Sequence, residues 1–221
     1  MERVEVGQAV LKENDRIAAE LRAGFRDRRT VCLNLISSPG AGKTTILERT
    51  LAALASSQWR VAVLTGDIQT DRDAARLSRY GFPAHQITTG GTCHLDAAMV
   101  QRALGKLAQG PLDLLLIENV GNLVCPASYD LGEEAKVVLL SVPEGDDKPL
   151  KYPSIFRRAR LMLLHKVDLL PYTPFSLDAA KADARRVNPD IEIIETSCVG
   201  PPGLTGWLDW LEARLGEAAK R

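Results

Sequence analysis

The chain has 221 residues, 45% of them hydrophobic, which is enough to bury the core of one domain of ordinary size. Its 28 basic and 28 acidic residues balance to a formal net charge of zero, so bulk charge favours neither nucleic acid nor an anionic membrane as a partner. No apolar run reaches the length of a membrane span, and the N-terminus shows no signal-peptide pattern. We therefore expect a cytoplasmic protein.

The predicted elements begin with an N-terminal helical extension over residues 1–30, whose apolar positions follow helical spacing with the polar Asn14 among them. Strands and helices then alternate over residues 31–221. Strands are predicted at 31–36, 60–65, 84–89, 112–117, 136–142, 160–165 and 191–195. Helices are predicted at 44–55, 70–79, 95–108, 177–187 and 205–219. Residues 143–153 are predicted to form a long polar loop that is functional or mobile.

Several of these strands are apolar without interruption, which is typical of a parallel sheet whose two faces are both covered by helices. The predicted fold class is therefore α/β, with a single doubly wound, mostly parallel sheet and an N-terminal helix. Residues 1–30 are the extension, and residues 31–221 form the main domain.

A short stretch rich in small residues, S-S-P-G-A-G-K-T at 37–44, separates the first predicted strand from the helix that follows it. Such a turn exposes backbone N–H groups beside the positive end of a helix dipole, which favours phosphate. The pattern resembles G-x-x-x-x-G-K-[ST], with Ser37 at the usual first glycine. Because the strand–turn–helix setting is present, we favour a P-loop nucleoside triphosphate site over a plain turn. Its predicted nucleotide-binding residues are Pro39, Gly40, Ala41, Gly42, Lys43, Thr44 and Thr45, with Lys43 on the outer phosphates and Thr44 on Mg²⁺.

Acidic residues follow two of the later predicted strands. Asp67 is predicted to bind Mg²⁺ or position water. Glu118, with Gly121 three residues later, resembles the D-x-x-G segment of GTPases and is predicted to sense the γ-phosphate side or orient water. Asp71 and Asp73 are equally well explained as acids that cap a helix.

The stretch H-K-V-D at 165–168 resembles the [NT]-K-x-D segment with which GTPases recognise guanine, with His165 in place of Asn. The carboxylate of Asp168 can accept hydrogen bonds from N1–H and from the exocyclic amine of guanine, and adenine offers no such pair. Lys166 can pack its stem over the base. Ser197 and Cys198 are predicted to contribute the final contact to guanine.

Cys93 and His94 are adjacent before a predicted helix, and Cys125 follows the Glu118 segment. Thiolate and imidazole ligands suit Zn²⁺ or Ni²⁺. By spacing alone the signal is weak, because buried structural cysteines are the commoner case.

Six segments in order carry a resemblance to a known family. They are S-S-P-G-A-G-K-T at 37–44, G-D-I-Q-T-D-R-D-A at 66–74, T-G-G-T-C-H-L-D at 89–96, E-N-V-G-N-L-V-C-P at 118–126, E-G-D-D-K-P-L-K-Y-P at 144–153 and H-K-V-D-L at 165–169. From residue 30 on, the chain resembles the nickel-incorporation GTPases of [NiFe]-hydrogenase maturation, the HypB family. The related urease nickel GTPases carry C-P-H, which this chain lacks.

This resemblance implies a dimerising P-loop GTPase of the SIMIBI class that hydrolyses GTP slowly with Mg²⁺. It implies a Ni²⁺ or Zn²⁺ site at the dimer interface, built from Cys93, His94 and Cys125. The implied partners are a GTP-favoured homodimer, hydrogenase maturation factors and the hydrogenase large subunit. Lys148 is expected to reach nucleotide across the interface. Because the chain has only three histidines and no His-rich or Cys-rich tract near its N-terminus, we expect no nickel-storage site.

Two rival functions fit parts of the same sequence. An ATP-dependent small-molecule kinase would use Lys43 and Thr44 equally well, but would have little use for Asp168 or Cys125. A non-hydrolysing metal carrier with a residual nucleotide site would bind metal without a GTP-dependent change of oligomeric state.

Overall fold

The computed structural model describes residues 2–67, 72–107 and 110–220, in which strands and helices alternate. The strands are β1 (Val31–Ser37), β2 (Val61–Asp67), β3 (Ala84–Thr88), β4 (Leu114–Glu118), β5 (Ala135–Ser141), β6 (Ala159–His165) and β7 (Glu192–Thr196). The α-helices are α1 (Glu2–Asp27), α2 (Lys43–Leu54), α3 (Arg72–Ser78), α4 (Ala97–Leu104), α5 (Cys125–Ser128), α6 (Lys148–Lys151), α7 (Pro153–Arg158), α8 (Leu177–Val187) and α9 (Thr205–Lys220). Two 3₁₀ segments follow strands, at Val142–Glu144 and Val167–Tyr172.

The seven strands form one sheet in the order β3-β2-β4-β1-β5-β6-β7, and every neighbouring pair is parallel. The chain first builds the sheet to one side of β1 and then crosses to the other side at β5. The carboxyl ends of the strands therefore meet at one edge, with a crevice where the direction of winding reverses. Open α/β sheets bind their ligands at this position.

Helices cover both faces of the sheet, as the uninterrupted apolar strands predict. One face packs against α2, α3 and α9, where Leu47, Leu77 and Trp207 are fully buried. The other face packs against α1 and α4 on one half of the sheet, and against α7 and α8 on the other half. The doubly wound α/β fold is therefore confirmed, and the sheet is wholly parallel among the described residues.

Helix α1 packs on the sheet through an apolar stripe of Ile17, Ala18, Leu21 and Phe25. Its polar Asn14 is also buried, and it is hydrogen-bonded on both sides. Helix α1 thus shares a hydrophobic cluster with the sheet through its residues 17–25, and the boundary at residue 30 stays a prediction. None of the helices in the described residues has the length and apolar character needed to cross a membrane.

All seven predicted strands are present, with ends within two residues of those predicted. Helix α8 has the predicted bounds, and α2 and α9 lie within one residue of theirs. Helix α4 begins two residues later than predicted because the side chain of Asp96 caps its start by accepting from the Met99 amide, and it ends at Leu104 rather than at residue 108. Residues 68–71, at the predicted start of α3, lie outside the described residues.

The prediction of one polar loop over residues 143–153 is wrong. This region contains the first 3₁₀ segment and helix α6, and α7 begins at its end. A capping box holds the first turn, because the Glu144 carboxylate accepts from both the amide and the hydroxyl of Ser141. Pro149 is buried, which anchors α6 to the domain.

Candidate functional site

The loop between β1 and α2 borders a cavity of about 490 Å³ at the carboxyl edge of the sheet. The cavity is lined by residues from this loop, from the start of α2, from the ends of β2 and β4 and the segment after β4, from α3 and from the segment after β6. They are Pro39, Gly40, Gly42, Lys43, Thr44, Thr45, Gly66, Asp67, Asp73, Arg76, Glu118, Asn119, Val120, Gly121 and Lys166. Six of the seven residues predicted from the sequence for the phosphate site therefore line one cavity. The seventh, Ala41, is buried in the same loop.

Lys43 is buried in this cavity, and its ammonium Nζ lies 2.9 Å from Oγ of Ser37, to which it donates a hydrogen bond. Burial lowers the pKa of Lys43, because it disfavours the charged ammonium group. An anion bound beside Lys43 would stabilise this positive charge, so the site favours anions. Ser37 stands where the P-loop pattern usually has its first glycine. Its buried hydroxyl thus accepts the hydrogen bond from Lys43. The sequence identified the position but could not assign this contact.

The backbone of the loop is fixed by a close approach to His165. Gly42 has a φ of +110°, and a Cβ atom at this position would lie 2.8 Å from Cδ2 of the His165 ring. The Nδ1 atom of that ring lies 3.0 Å from the Thr196 hydroxyl. Burial lowers the pKa of His165 to about 4, so the ring is neutral at physiological pH. His165, which replaces the Asn of the usual pattern, therefore packs the predicted base-recognition segment, residues 165–168, against the phosphate loop.

Glu118 and Thr44 meet at the centre of the cavity, where the threonine hydroxyl donates to Oε1 of Glu118 over 2.7 Å. The other carboxylate oxygen, Oε2, is buried and has no hydrogen-bond partner among the described residues. Asp67, at the end of β2, lines the same cavity. Hydroxyl and carboxylate oxygens are the donors that Mg²⁺ prefers, and the unpartnered Oε2 fits a cation or its bound water. These residues therefore suit the magnesium ion of a nucleotide.

The predicted base-recognition segment follows β6 and is tied to the phosphate loop. Lys166 has a left-handed backbone, with φ of +61°, and its Nζ donates to the Gly40 carbonyl over 2.7 Å. The Oδ1 atom of Asp168 accepts from the Ser197 hydroxyl over 2.5 Å. A buried serine thus orients the predicted guanine-binding carboxylate.

The loop after β7 uses most of its own donors internally. The Ser197 amide donates to the Gly203 carbonyl, and the amides of Val199 and Gly200 both donate to the Ser197 hydroxyl over 3.1 Å. Among residues 197–200, the Cys198 amide is the remaining donor. The contact to guanine stays a prediction, and its backbone part now falls on Cys198.

Beyond the cavity, Cys93, His94 and Cys125 come together, and we call these three residues the metal triad. Their ligand atoms all lie within 4.8 Å of one another, and the two thiol sulfurs are 2.8 Å apart. The His94 ring stacks on Tyr129, with ring centroids 3.8 Å apart. Cys125 lies 32 residues after Cys93 in the sequence, and the fold brings it beside the adjacent Cys93 and His94.

The chemistry of the metal triad fits a borderline-soft cation. Burial lowers the pKa of His94, which keeps the imidazole neutral, and its Nδ1 is buried with no hydrogen-bond partner among the described residues. The hydrogen bond that the Cys93 thiol donates to the Cys125 sulfur raises the pKa of Cys93, and burial and the charge of a nearby Cys125 thiolate raise it further. A bound Zn²⁺ or Ni²⁺ would stabilise both thiolates. Three protein ligands leave at least one coordination position for water or another chain.

A single stretch joins the two sites. Glu118, Asn119, Val120 and Gly121 line the nucleotide cavity, and Cys125 follows four residues later. Gly121 is pressed against the phosphate loop, because a Cβ atom there would lie 3.0 Å from Cα of Pro39. Asn122 donates to the Cys93 carbonyl over 3.3 Å. A displacement of this stretch at the nucleotide would therefore reach two ligands of the metal triad.

Comparison with known proteins identifies the family. The model of the CobW/HypB/UreG nucleotide-binding domain matches residues 31–195. The hydrogenase maturation factor HypB of Azotobacter vinelandii is 55% identical over 211 residues, which cover 96% of this chain and 69% of that protein. This chain belongs to the HypB family.

Solved HypB structures share the fold over nearly the whole chain. The crystal structure of HypB from Helicobacter pylori in complex with nickel aligns with a TM-score of 0.87 and 43% identity, covering 93% of this chain and 96% of that chain. The structure of hydrogenase maturation factor HypB from Archaeoglobus fulgidus aligns with a TM-score of 0.85 and 41% identity, covering 92% and 99%. The resemblance inferred from the six segments is confirmed.

Two charged residues of α3 line the HypB nucleotide cavity; from the sequence, Arg76 has no predicted role there and the role of Asp73 is open. Arg76 and Asp73 of α3 both line it, and the Arg76 guanidinium lies 2.7 Å from the Glu48 carboxylate and 3.4 Å from Asp73. The sequence alone assigns no arginine to the phosphates. It explains Asp73 equally well as an acid that caps a helix. Only the helical register of α3 against α2, which single residues do not reveal, could have placed them.

Lys148, by contrast, is not among the residues that line the cavity. It lies at the start of α6, with its ammonium 5.3 Å from the centre of the Tyr152 ring. Its contact with nucleotide in a second subunit stays a prediction.

The carboxyl group of Glu118 should make the stability of nucleotide-free, metal-free protein depend on pH. Burial raises its pKa from 4.5 to about 7, although Lys43 and Thr44 oppose this. The folded protein therefore holds a proton between pH 4.5 and 7 that the unfolded chain releases, and this group lowers stability as pH rises through that window. The full cost, at about 1.4 kcal/mol per pKa unit, lies between about 3 and 4 kcal/mol above pH 7.

We expect Glu118→Gln to remove this cost. The substitution should raise the free energy of unfolding by about 3–4 kcal/mol at pH 8 and by little at pH 4.5. Urea unfolding across this range measures the difference. A gain that is the same at both pH values would contradict a carboxyl pKa near 7.

Proposed function

We propose that this HypB-family chain is a GTP-hydrolysing metallochaperone that carries nickel on the metal triad during [NiFe]-hydrogenase maturation. The observation that carries the proposal is the continuity of residues 118–125, which border the nucleotide cavity at one end and supply Cys125 at the other. The nickel complex of the Helicobacter pylori relative supports nickel over zinc as the cargo.

In the proposed hydrolysis, water attacks the γ-phosphorus of GTP and the bond to the β–γ bridging oxygen breaks, giving GDP and phosphate. Lys43 and the amides of the phosphate loop stabilise charge on the outer phosphates. Magnesium, when bound, neutralises the β- and γ-phosphate oxygens, and Thr44 and Asp67 would hold it. Glu118 orients the water, and its pKa of about 7 suits a group that exchanges a proton near neutral pH.

The guanine contact is assigned to Asp168, with Lys166 covering the base. The Ser197 hydroxyl holds the carboxylate in place, and His165 ties its segment to Gly42. Turnover is slow in this account, because hydrolysis acts as a switch that a partner completes.

The cargo site is proposed to lie at a homodimer interface. One chain supplies three ligands, so water or a second copy completes the coordination of nickel. GTP favours the dimer, and hydrolysis loosens the metal for transfer. The proposed recipients are other hydrogenase maturation factors and the hydrogenase large subunit in the cytoplasm, with Lys148 reaching nucleotide in the second subunit.

Asp168→Asn tests the proposal against an ATP-dependent kinase. The substitution removes the acceptor of two guanine hydrogen bonds, so we expect GTP affinity to fall about 100-fold, since a bond to a charged group contributes about 1.5–3 kcal/mol. Binding of xanthosine triphosphate should improve, because its 2-carbonyl accepts where guanine donates. Competition with a fluorescent GDP measures both affinities.

The exposed Asp178 in the first turn of α8 provides a matched control. Asp178→Asn makes the same chemical change away from the base and should leave nucleotide preference unaltered. A kinase that reads adenine would show the same preference in the wild type and in both variants, and that result would exclude guanine recognition by Asp168.

A further inference from the structure

Asn119 occupies a buried position between the nucleotide cavity and the metal triad. It follows Glu118, borders the cavity, and is 1% exposed. Its side-chain Oδ1 accepts from the Leu95 amide over 3.3 Å and from the Val120 amide over 2.9 Å. Leu95 is the residue after His94, so one side chain joins a cavity-lining segment to a ligand-bearing segment.

The Leu95 end of this contact is buried and closely packed as well. Leu95 is fully buried, and its side chain packs on Gly66, where a Cβ atom would lie 2.9 Å from Leu95 Cδ2. A buried amide that loses its acceptor is costly, so the Leu95 amide follows Asn119 when the cavity segment moves. His94, one residue earlier, moves with it.

A second route from Asn119 reaches the other side of His94. Asn119 Nδ2 donates to Asn34 Oδ1 over 3.2 Å, and Asn34 Nδ2 donates to Glu133 over 3.1 Å. Lys136 bridges Glu133 and the carbonyl of Tyr129, whose ring stacks on His94. The imidazole is therefore held through its own backbone and through its stacking partner by one buried polar chain.

We propose that Asn119 is the positioning residue through which the nucleotide state sets the geometry of His94 in the metal triad. This inference rests on the proposed function, since it assigns the path by which GTP and GDP alter metal affinity. Buried polar networks have few arrangements that satisfy every member, which suits a two-state link better than a graded one.

Asn14 offers a matched control. Its side chain on α1 accepts from the Ala97 amide and donates to the Asp130 carbonyl, both over 2.9 Å. It therefore braces the same two segments, beside His94 and beside Tyr129, without bordering the nucleotide cavity. Loss of Asn14 loosens the metal triad, whereas loss of Asn119 also disconnects it from the nucleotide.

The test is a nickel titration against a competing chelator, with the full chain saturated by a GTP analogue, saturated by GDP, or free of nucleotide. For the wild type we expect affinities in the two nucleotide states to differ by about tenfold, within the range typical of coupled sites. In Asn119→Ala the difference should fall below about twofold, and nickel should bind about tenfold more weakly, as is typical when an outer-shell partner is lost. In Asn14→Ala the affinities should fall in every state while their ratio is kept.

The possible results distinguish failure of the role of Asn119 from failure of the proposed function. If Asn119→Ala keeps the wild-type ratio, or if Asn14→Ala loses it to the same extent, the role of Asn119 is overturned and the proposed function stands. If the wild type shows no nucleotide effect on nickel, both fall. If Asn119→Ala does not fold, the smaller polar variant Asn119→Ser, which is too short to reach Leu95, takes its place. If neither variant can be saturated with nucleotide, Asn119 acts on nucleotide binding itself, and the inference is overturned.

Discussion

Replacing Lys43 with Ala should lower GTP hydrolysis about a thousandfold while leaving the fold intact. The ammonium group is the buried cation of the phosphate loop, held by Ser37 until phosphate arrives. Loss of one preorganised donor to transition-state charge costs about 10²–10³ in rate, and a full charge lies at the upper end. Phosphate release at saturating GTP and Mg²⁺ measures the effect.

The stability of the Lys43→Ala variant separates catalysis from folding. Because burial lowers the pKa of Lys43, the charged group is disfavoured in the nucleotide-free fold, and its removal should not reduce the free energy of unfolding. Lys181→Ala, which removes a lysine paired with Glu195, serves as a control with unchanged hydrolysis. A loss of less than tenfold in Lys43→Ala would contradict the phosphate role.

The double substitution Cys93→Ala, Cys125→Ala should weaken nickel binding at least about a thousandfold. Four-ligand structural zinc sites bind with about 10–16 kcal/mol, so each ligand contributes about 3 kcal/mol, and each tenfold change corresponds to about 1.4 kcal/mol. Two thiolates therefore account for most of the affinity. Loss of the nickel–thiolate absorption in a titration with Ni²⁺ would report the change directly.

Cys32 provides the control for this variant, because its thiol is fully buried and burial raises its pKa well above the usual value. Cys32→Ala should keep wild-type nickel binding. Equal nickel affinity in the double variant and the wild type would mean that Cys93 and Cys125 are structural thiols, and the cargo site would lie elsewhere.

The strands and the larger helices could be predicted because their signals are local. Uninterrupted apolar runs marked several of the strands, and the glycine-rich turn before Lys43 marked the start of α2. The helices α5, α6 and α7 were missed because segments of four to six residues carry too few positions to show a period. They are anchored by buried side chains that only the folded chain reveals: Pro126 and Ala127 in α5, Pro149 in α6, and Ile155 and Phe156 in α7.

The residues of the candidate site were likewise only partly predictable from the sequence. The P-loop residues and Asp168 carry recognisable motifs, and the metal triad was strengthened by family resemblance rather than by spacing. The partners of Asn14 and Asn119 could not be predicted, because each pairs with backbone groups distant in sequence. The sequence marked Asn14 only as a polar residue among the apolar positions of the N-terminal helix. It marked His165 only as a replacement of the usual Asn in the guanine-recognition pattern.

Control of a shared metal site by the nucleotide state is the proposal on which the others rest, and a single experiment can test it. Nickel content and molecular mass should be determined together, with a GTP analogue, with GDP and without nucleotide. We expect a dimer with about one nickel per dimer in the GTP-analogue state. With GDP, we expect dimer association and nickel binding both to be weakened or lost. A nickel content and a mass that are the same in all three states would contradict it.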